Sequence, residues 1–315
     1  MSAILDFLRD RIVATTTGLF SHGPAPLEHT LDHPGDPGLC GPDSVTWPVL
    51  GDAAAFVGGV RALLVQSAHP EVVAGVQDHS RYREDPLGRL SRTSAYVTAT
   101  SFGSAPEVEA ATDMVRRAHR RVVGESHRGC PYRASDPALA AWVHNTLTHS
   151  FLVSYQQYGA SPLSPRDADR FVAEQAEIGR LLGADPLPRT ESELAAWIEQ
   201  HPAIAASPGL DAAIAFLKQP PLSWPVRLGY RLVLWAAVAT MPADLRAMMG
   251  LRVPPGGAAV GALSIRFLRW SLGSSPSWHL ALVRTGAPIP DGVFRQPLPQ
   301  EAEEMLERRV VPLPV

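Results

Sequence analysis

Apolar positions recur at helical spacing along most of the chain. From Asp52, the residues Ala55, Phe56, Val60, Leu63 and Leu64 follow a three-and-four rhythm up to Pro70. Pro70 opens a second segment carrying Val73, Val76 and Gln77. A third helix is predicted over 87–100, with a weaker pattern because Thr93, Val97, Thr98 and Thr100 are β-branched. Pro106 suits the first turn of a helix predicted to run to Gly124. Ser135-Asp136-Pro137 caps the next, which passes through Trp142 to Tyr158 and stops at Gly159. Ser164-Pro165 opens another that ends at Gly183, and further helices are predicted over 191–206, 211–217, 225–249 and 257–272. Residues 21–50 carry Pro24, Pro26, Pro34, Pro37, Pro42 and Pro48 with no sustained period, so they read as an irregular arm behind an N-terminal amphipathic helix. No strand pair, hairpin or strand–helix–strand rhythm is visible. The prediction is all-α, one domain of roughly ten helices.

Composition narrows the chemistry. The chain has 315 residues, 45% apolar and 19% charged, enough to bury a large core. A net charge of −3 argues against a nucleic-acid partner and against a polybasic membrane patch. Of 28 lysines and arginines only Lys218 is lysine, and it sits in a predicted loop, which excludes a P-loop and placed-lysine mechanisms. Cys40 and Cys130 form no Cys-x-x-Cys, so neither a disulfide framework nor a zinc site is expected. Charges interrupt the apolar N-terminus, unlike a signal peptide. The run 232–241 falls short of the roughly 20 residues of a membrane span, so a soluble, cytoplasmic chain without a span is expected. Dinucleotide-binding, zincin and paired Glu-x-x-His motifs are absent. Ser126 lies in Gly124-Glu-Ser-His-Arg-Gly129, one residue too long for a nucleophile elbow, and reads as a helix-end turn.

The helix predicted up to Gly124 carries the most informative position. On a wheel, Val108, Thr112, Val115, Val122 and Val123 form an apolar face with His119 near its centre. Arg117, Arg120 and Arg121 point away and Arg116 lies at the border. Such a histidine is either a core residue hydrogen-bonded to backbone or a metal or haem ligand. Upstream, Arg89, Arg92 and Thr93 share one helical face, which is either an anion or polarised-oxygen site or a solvated surface.

These residues belong to an ordered set of segments. Gly38–Trp47, Gly58–Pro70 with Gln66 and His69, and Val76–Tyr82 come first. Arg89–Thr93, Val115–Gly124, Tyr132–Pro137 and Trp142–Leu147 follow. Together the set resembles the MpaB-type and rubber (latex-clearing) oxygenases, which share the DUF2236 domain. The resemblance implies an all-helical fold with a globin-like core binding haem b. It makes His119 the axial iron ligand, with Arg116 one turn before it and His144 as runner-up. It implies a distal segment Arg-x-x-Lys-Thr, which here looks like Arg89, Arg92 and Thr93. The chain departs from that pattern at Arg92, because a guanidinium stays protonated and cannot bind iron. The acidic residue assigned as base in rubber cleavage has no secure counterpart.

Gln66 and His69 are expected either to line the pocket or to shape the turn before Pro70. His127, His149 and His201 are expected on the surface. The divisions implied are a helix and arm over 1–37, a catalytic domain over 38–290 and a tail over 291–315. The expected activity is a haem-dependent oxygenase acting on a hydrophobic small molecule, such as an isoprenoid or other alkene, with dioxygen bound opposite the axial histidine. Arg92 and Thr93 would stabilise the polarised oxygen, Arg89 or Arg116 would hold the propionates, and an electron donor is a further partner. The alternatives are a non-catalytic haem carrier or sensor, and a helical domain that has lost the cofactor.

Overall fold

Helix starts organise the chain, and proline marks most of them. The computed structural model describes residues 2–23 and 25–310; Met1, Pro24 and 311–315 of the expected arm and tail lie outside the described residues. Helix α1 (Ser2–Phe20) leads through an arm holding a single 3-10 turn (Thr30–Asp32) into α2 (Thr46–Gly51) and α3 (Ala54–Gln66). Next come α4 (Pro70–His79), α5 (Pro86–Phe102) and α6 (Ala105–His119). Two short antiparallel strands, β1 (Val123–Glu125) and β2 (Pro131–Arg133), precede α7 (Pro137–Tyr158) and α8 (Pro165–Leu181). The chain continues through α9 (Glu191–Glu199), α10 (Pro208–Lys218), α11 (Trp224–Ala239) and α12 (Ala243–Met248). It closes with α13 (Gly257–Leu272), α14 (Pro276–Thr285) and α15 (Gln300–Val310). The all-α expectation holds.

The local cause repeats from helix to helix. Proline at the first helical position has no N–H to leave unsatisfied, and the residue before it caps the next free amides. Asp85 accepts from Gly88 N, Asp136 from Ala138 N, Ser164 from Asp167 N and Ser207 from Leu210 N.

The centre of the core is the pairing of α3 with α7. Gly58 lets them approach closely, since a Cβ there would run into the Phe151 ring and backbone. Trp47 and Trp142 are fully buried beside this seam. Their indole N–H groups donate to Ser101 O at 2.7 Å and Gln66 O at 3.1 Å. Burial of side chains of this size stabilises by about 2–3 kcal/mol each. Helix α11 packs on the outer side, where Gly261 of α13 sits against Ala236.

Several predicted boundaries differ, each for a physical reason. Helix α6 stops at His119, not Gly124, because Val123 and Gly124 pair with Arg133 and Tyr132 as strands. Val122 and Val123 therefore do not share a helical face with His119. Strands of three residues are too short to show alternation, which is why the hairpin escaped prediction. The segment 225–249 breaks at Pro242 into α11 and α12, and the helix from Glu191 ends at Glu199, ahead of Pro202. Lys218 is the last residue of α10 rather than part of a loop. These splits, with α2, α14 and α15, bring the described helices to fifteen rather than roughly ten.

Candidate functional site

Helices α5 and α6 form a hairpin closed at Gly103 and Ser104, and its turn is fixed from several sides. Ser104 and Glu107 make a capping box, with Glu107 Oε2 accepting from Ser104 N at 2.8 Å. Arg284, on α14, is fully buried behind the turn and donates to Phe102 O at 2.7 Å, Gly103 O at 3.3 Å and Asp36 O at 2.8 Å. It also bonds Thr30 Oγ1. The Asp36 carboxylate accepts from Gly38 N at 2.7 Å and Ala105 N at 2.9 Å, tying the arm to the start of α6. Asp85 caps α5 at the far end.

His119 is the last residue of α6, at the end of the hairpin away from this turn. It is half-buried and burial holds its pKa below the usual histidine range, so the ring is neutral at pH 7. Among the described residues its ring has no hydrogen-bond partner. It lines a pocket of about 220 Å³ with Arg116, Arg120, Ser135 and Leu182. Arg116 also lines an adjoining pocket of about 280 Å³, walled by Val108, Thr112 and Leu181. Two buried hydroxyls here lack partners, Thr112 Oγ1 on α6 and Tyr96 Oη on α5. Burial pushes the Tyr96 phenol up, against the pull of nearby Arg116.

The arginines of α5 divide. Arg89, one of the few half-buried cations, has no carboxylate partner among the described residues; its guanidinium stands 5.8 Å over the Tyr82 ring, and burial lowers its pKa. Arg92 is exposed and pairs with Asp85 at 3.3 Å, and Thr93 is exposed one residue on. Arg116 pairs with Asp113 at 3.3 Å at the pocket mouth.

Like Arg89, Arg92 and Thr93, the remaining sequence candidates line neither pocket. Gln66 Nε2 donates to Val143 O at 3.1 Å, so Gln66 joins the end of α3 to α7. His69 is buried against Trp142 and His201, with ring centroids 5.5 Å away in each case. Its Nδ1 lies 3.3 Å from Glu71 Oε2, yet off the line a hydrogen bond needs, and burial lowers its pKa to about 4. Burial pushes Glu71 up, but hydrogen bonds from Arg128 at 2.7 Å and Ser126 at 2.9 Å outweigh it and hold the carboxyl low. The Ser126 hydroxyl is thereby committed to Glu71. His144 Nε2–H donates to Gln175 O at 2.7 Å and braces α7 on α8, with its pKa lowered to about 4 by burial.

Two histidines expected at the surface are inside. His149 is buried on α7, lowered to about 3 by burial and by Arg61, whose Nη1 is 3.4 Å from its Nδ1. His201 is half-buried in the aromatic cage with Trp142 and Trp197. The groups that cover them come from segments distant along the chain, Arg61 for His149 and Trp142 for His201. His127 is exposed, as expected. Arg61 was missed altogether: it is 1% exposed, donates to Ser150 Oγ at 2.9 Å and leaves its Nε unpaired. The available signal was that Arg61 is the only charge in the apolar helix α3.

The two pockets lie along α6, between it and the arm, Ser135 and the end of α8, and their polar groups suit a cofactor that takes one nitrogen ligand and carries carboxylate arms. They offer the neutral imidazole of His119 without a partner, the guanidinium of Arg116 and the orphaned hydroxyl of Thr112, while Arg89 stands on α5 over Tyr82, outside both pockets. Among the described residues no three His, Cys, Asp or Glu side chains converge as a metal site.

No curated protein and no solved structure matches the chain. The family model described as "ER-bound oxygenase mpaB/B'/Rubber oxygenase, catalytic domain" matches residues 47–270, from α2 through most of α13, and the chain belongs to this oxygenase family.

Proposed function

We propose that the chain is a haem b-dependent oxygenase acting on a hydrophobic small molecule of the isoprenoid or alkene class. The observation that carries this reading is His119, a neutral, half-buried imidazole facing a pocket with no hydrogen-bond partner, in a chain of an oxygenase family. His144, a buried histidine with a structural task, spends its Nε2–H on Gln175 O. His119 makes none, so its lone pair is free for a ligand.

A bound haem would supply the redox chemistry that no side chain can. The residues that would hold it are His119 at the iron and Arg89 and Arg116 at the carboxylate arms. Arg89 is the better of the two cations, because a desolvated guanidinium without a counterion gains most from an incoming carboxylate. Arg116 would exchange Asp113 for the second arm. Arg92 keeps its charge and offers no lone pair, so it contributes a fixed positive field and never a ligand. Thr93, exposed beside it, offers a hydroxyl donor to a polarised oxygen. The apolar walls supplied by Val108, Leu181 and Leu182 suit a hydrocarbon substrate and exclude water from it. Dioxygen and an electron donor complete the reactants.

Haem-reconstituted protein under reducing conditions tests the reaction. The expected result is dioxygen uptake that depends on an added alkene and yields an oxygenated product. Haem retained, with no uptake above the alkene-free control, would make the chain a carrier or sensor.

A further inference from the structure

Charge is segregated along this chain. From Ala212 to Pro290 the only acidic residue is Asp244, against Lys218, Arg227, Arg231, Arg246, Arg252, Arg266, Arg269 and Arg284. Arg284 is spent inside the fold, and Arg269 pairs with Asp52 at 2.7 Å. The others have no carboxylate partner among the described residues. The net charge of −3 therefore averages an acidic body with a cationic C-terminal third, and the composition alone hides this.

The same stretch exposes apolar rows. Helix α13 buries Gly257, Gly261 and Ile265 against the body, while Leu263 (61% exposed) and Phe267 (50%) lie on its outward face. Phe267 stacks on Trp270 with centroids 5.6 Å apart. Helix α1 packs beside α13, with the Arg9 guanidinium 4.9 Å over the Trp270 ring, and exposes Ile4 and Phe7. Helix α11, packed along α13, exposes Trp224 (77%) and Leu228, with Arg227 and Arg231 beside them. Scattered exposed apolar residues need no explanation, but rows on three neighbouring helices do.

We propose that α1, α11 and α13 form a docking surface for an anionic lipid bilayer. Leu263, Phe267 and Trp224 enter the headgroup boundary, and Arg227, Arg231 and Arg266 meet the lipid phosphates. Tryptophan favours that boundary, and arginine reaches past apolar neighbours to keep its charge in the headgroups. No described helix is long and apolar enough to cross a membrane, so the helices lie on the surface. Asp6 and Asp10 are the acidic groups of α1, and Asp6 is already paired with Arg9 at 3.4 Å. A second copy of the chain fits this face less well: two-fold pairing would set the same arginines of α11 and α13 against each other, with no carboxylate on either helix to neutralise them. The surface does not depend on the cofactor.

Sedimentation of the full chain with phosphatidylcholine vesicles, with and without about one-third phosphatidylglycerol, tests this. The protein is expected to pellet with the anionic vesicles and to release as salt rises. Leu263→Glu/Phe267→Glu should lower the partition coefficient about tenfold or more. Arg227→Glu/Arg231→Glu should lower it on anionic vesicles only. Circular dichroism and melting temperature establish that each variant folds; should the α13 double variant fail, Trp224→Ser/Leu228→Ser replaces it. Absence of pelleting with either vesicle, or pelleting unmoved by these substitutions, would overturn the proposal. So would a concentration-dependent dimer, without vesicle binding, that Leu263→Glu/Phe267→Glu dissolves.

Discussion

Arg61 shows what a single residue contributes against its own interest. Burial drags its pKa from 12.5 to about 10, its Nε is unpaired, and among the described residues Ser150 and His149 are its side-chain partners. Replacing a buried ion by an apolar side chain of similar volume is often neutral or stabilising. Arg61→Met is therefore expected to keep or raise the melting temperature; a fall of more than about 5 °C would contradict this. The buried histidines set the pH response. His69 and His144 are held near 4 and His149 near 3, all below the ordinary 6.5. Between those limits the unfolded chain binds protons that the fold refuses. Their contribution is whole above pH 6.5 and is lost as pH falls toward 4, at up to about 1.4 kcal/mol per pH unit for each ring. The urea midpoint should hold steady above pH 7 and drop steeply from pH 6.5 to 4. A midpoint unchanged down to pH 5 would rule this out. The burial of His69 and His149 was not legible in the sequence, because the residues that cover them, Trp142 and Arg61, are distant along the chain.

Among the elements, legibility followed the strength of local signals. Helix α7 was read nearly to the residue because Asp136-Pro137 starts it and Gly159 ends it, and α13 matched its predicted span. Helix α6 was overrun because nothing in the sequence announces the pairing of Val123 with Arg133. The placement of the α5–α6 hairpin was also invisible, since Arg284 reaches it from α14, far along the chain. Arg284→Ala would strand the carbonyls of Phe102 and Gly103 and the Thr30 hydroxyl. The expected cost is about 3–5 kcal/mol, read as a lower urea midpoint, and a cost below about 1 kcal/mol would contradict the hairpin's dependence on it. Gly38 is the second support of that turn. Its φ is +65° and a Cβ would collide with the Gly103 carbonyl oxygen, so Gly38→Ala should destabilise by more than about 1 kcal/mol. An unchanged midpoint would show that the arm moves freely.

For the whole molecule, the all-α class, the family and the cationic stretch 212–290 were legible in the sequence, whereas the exposed apolar faces that accompany this charge were not. Most of the sequence candidates fall into two groups in space. His119 and Arg116 line one pocket, whereas Gln66, His69 and His144 serve the interior; Arg89 stands on α5 over the Tyr82 ring. The helical wheel found His119 for an incomplete reason, because two of its five apolar neighbours lie in or beside a strand. The central claim is that His119 ligates a haem, and the absorption spectrum of the reconstituted protein tests it most directly. A Soret band is expected in the natural chain, lost or shifted in His119→Ala and intact in His144→Ala. No Soret band in the natural chain, or a band that survives His119→Ala unshifted but disappears in His144→Ala, would contradict the account.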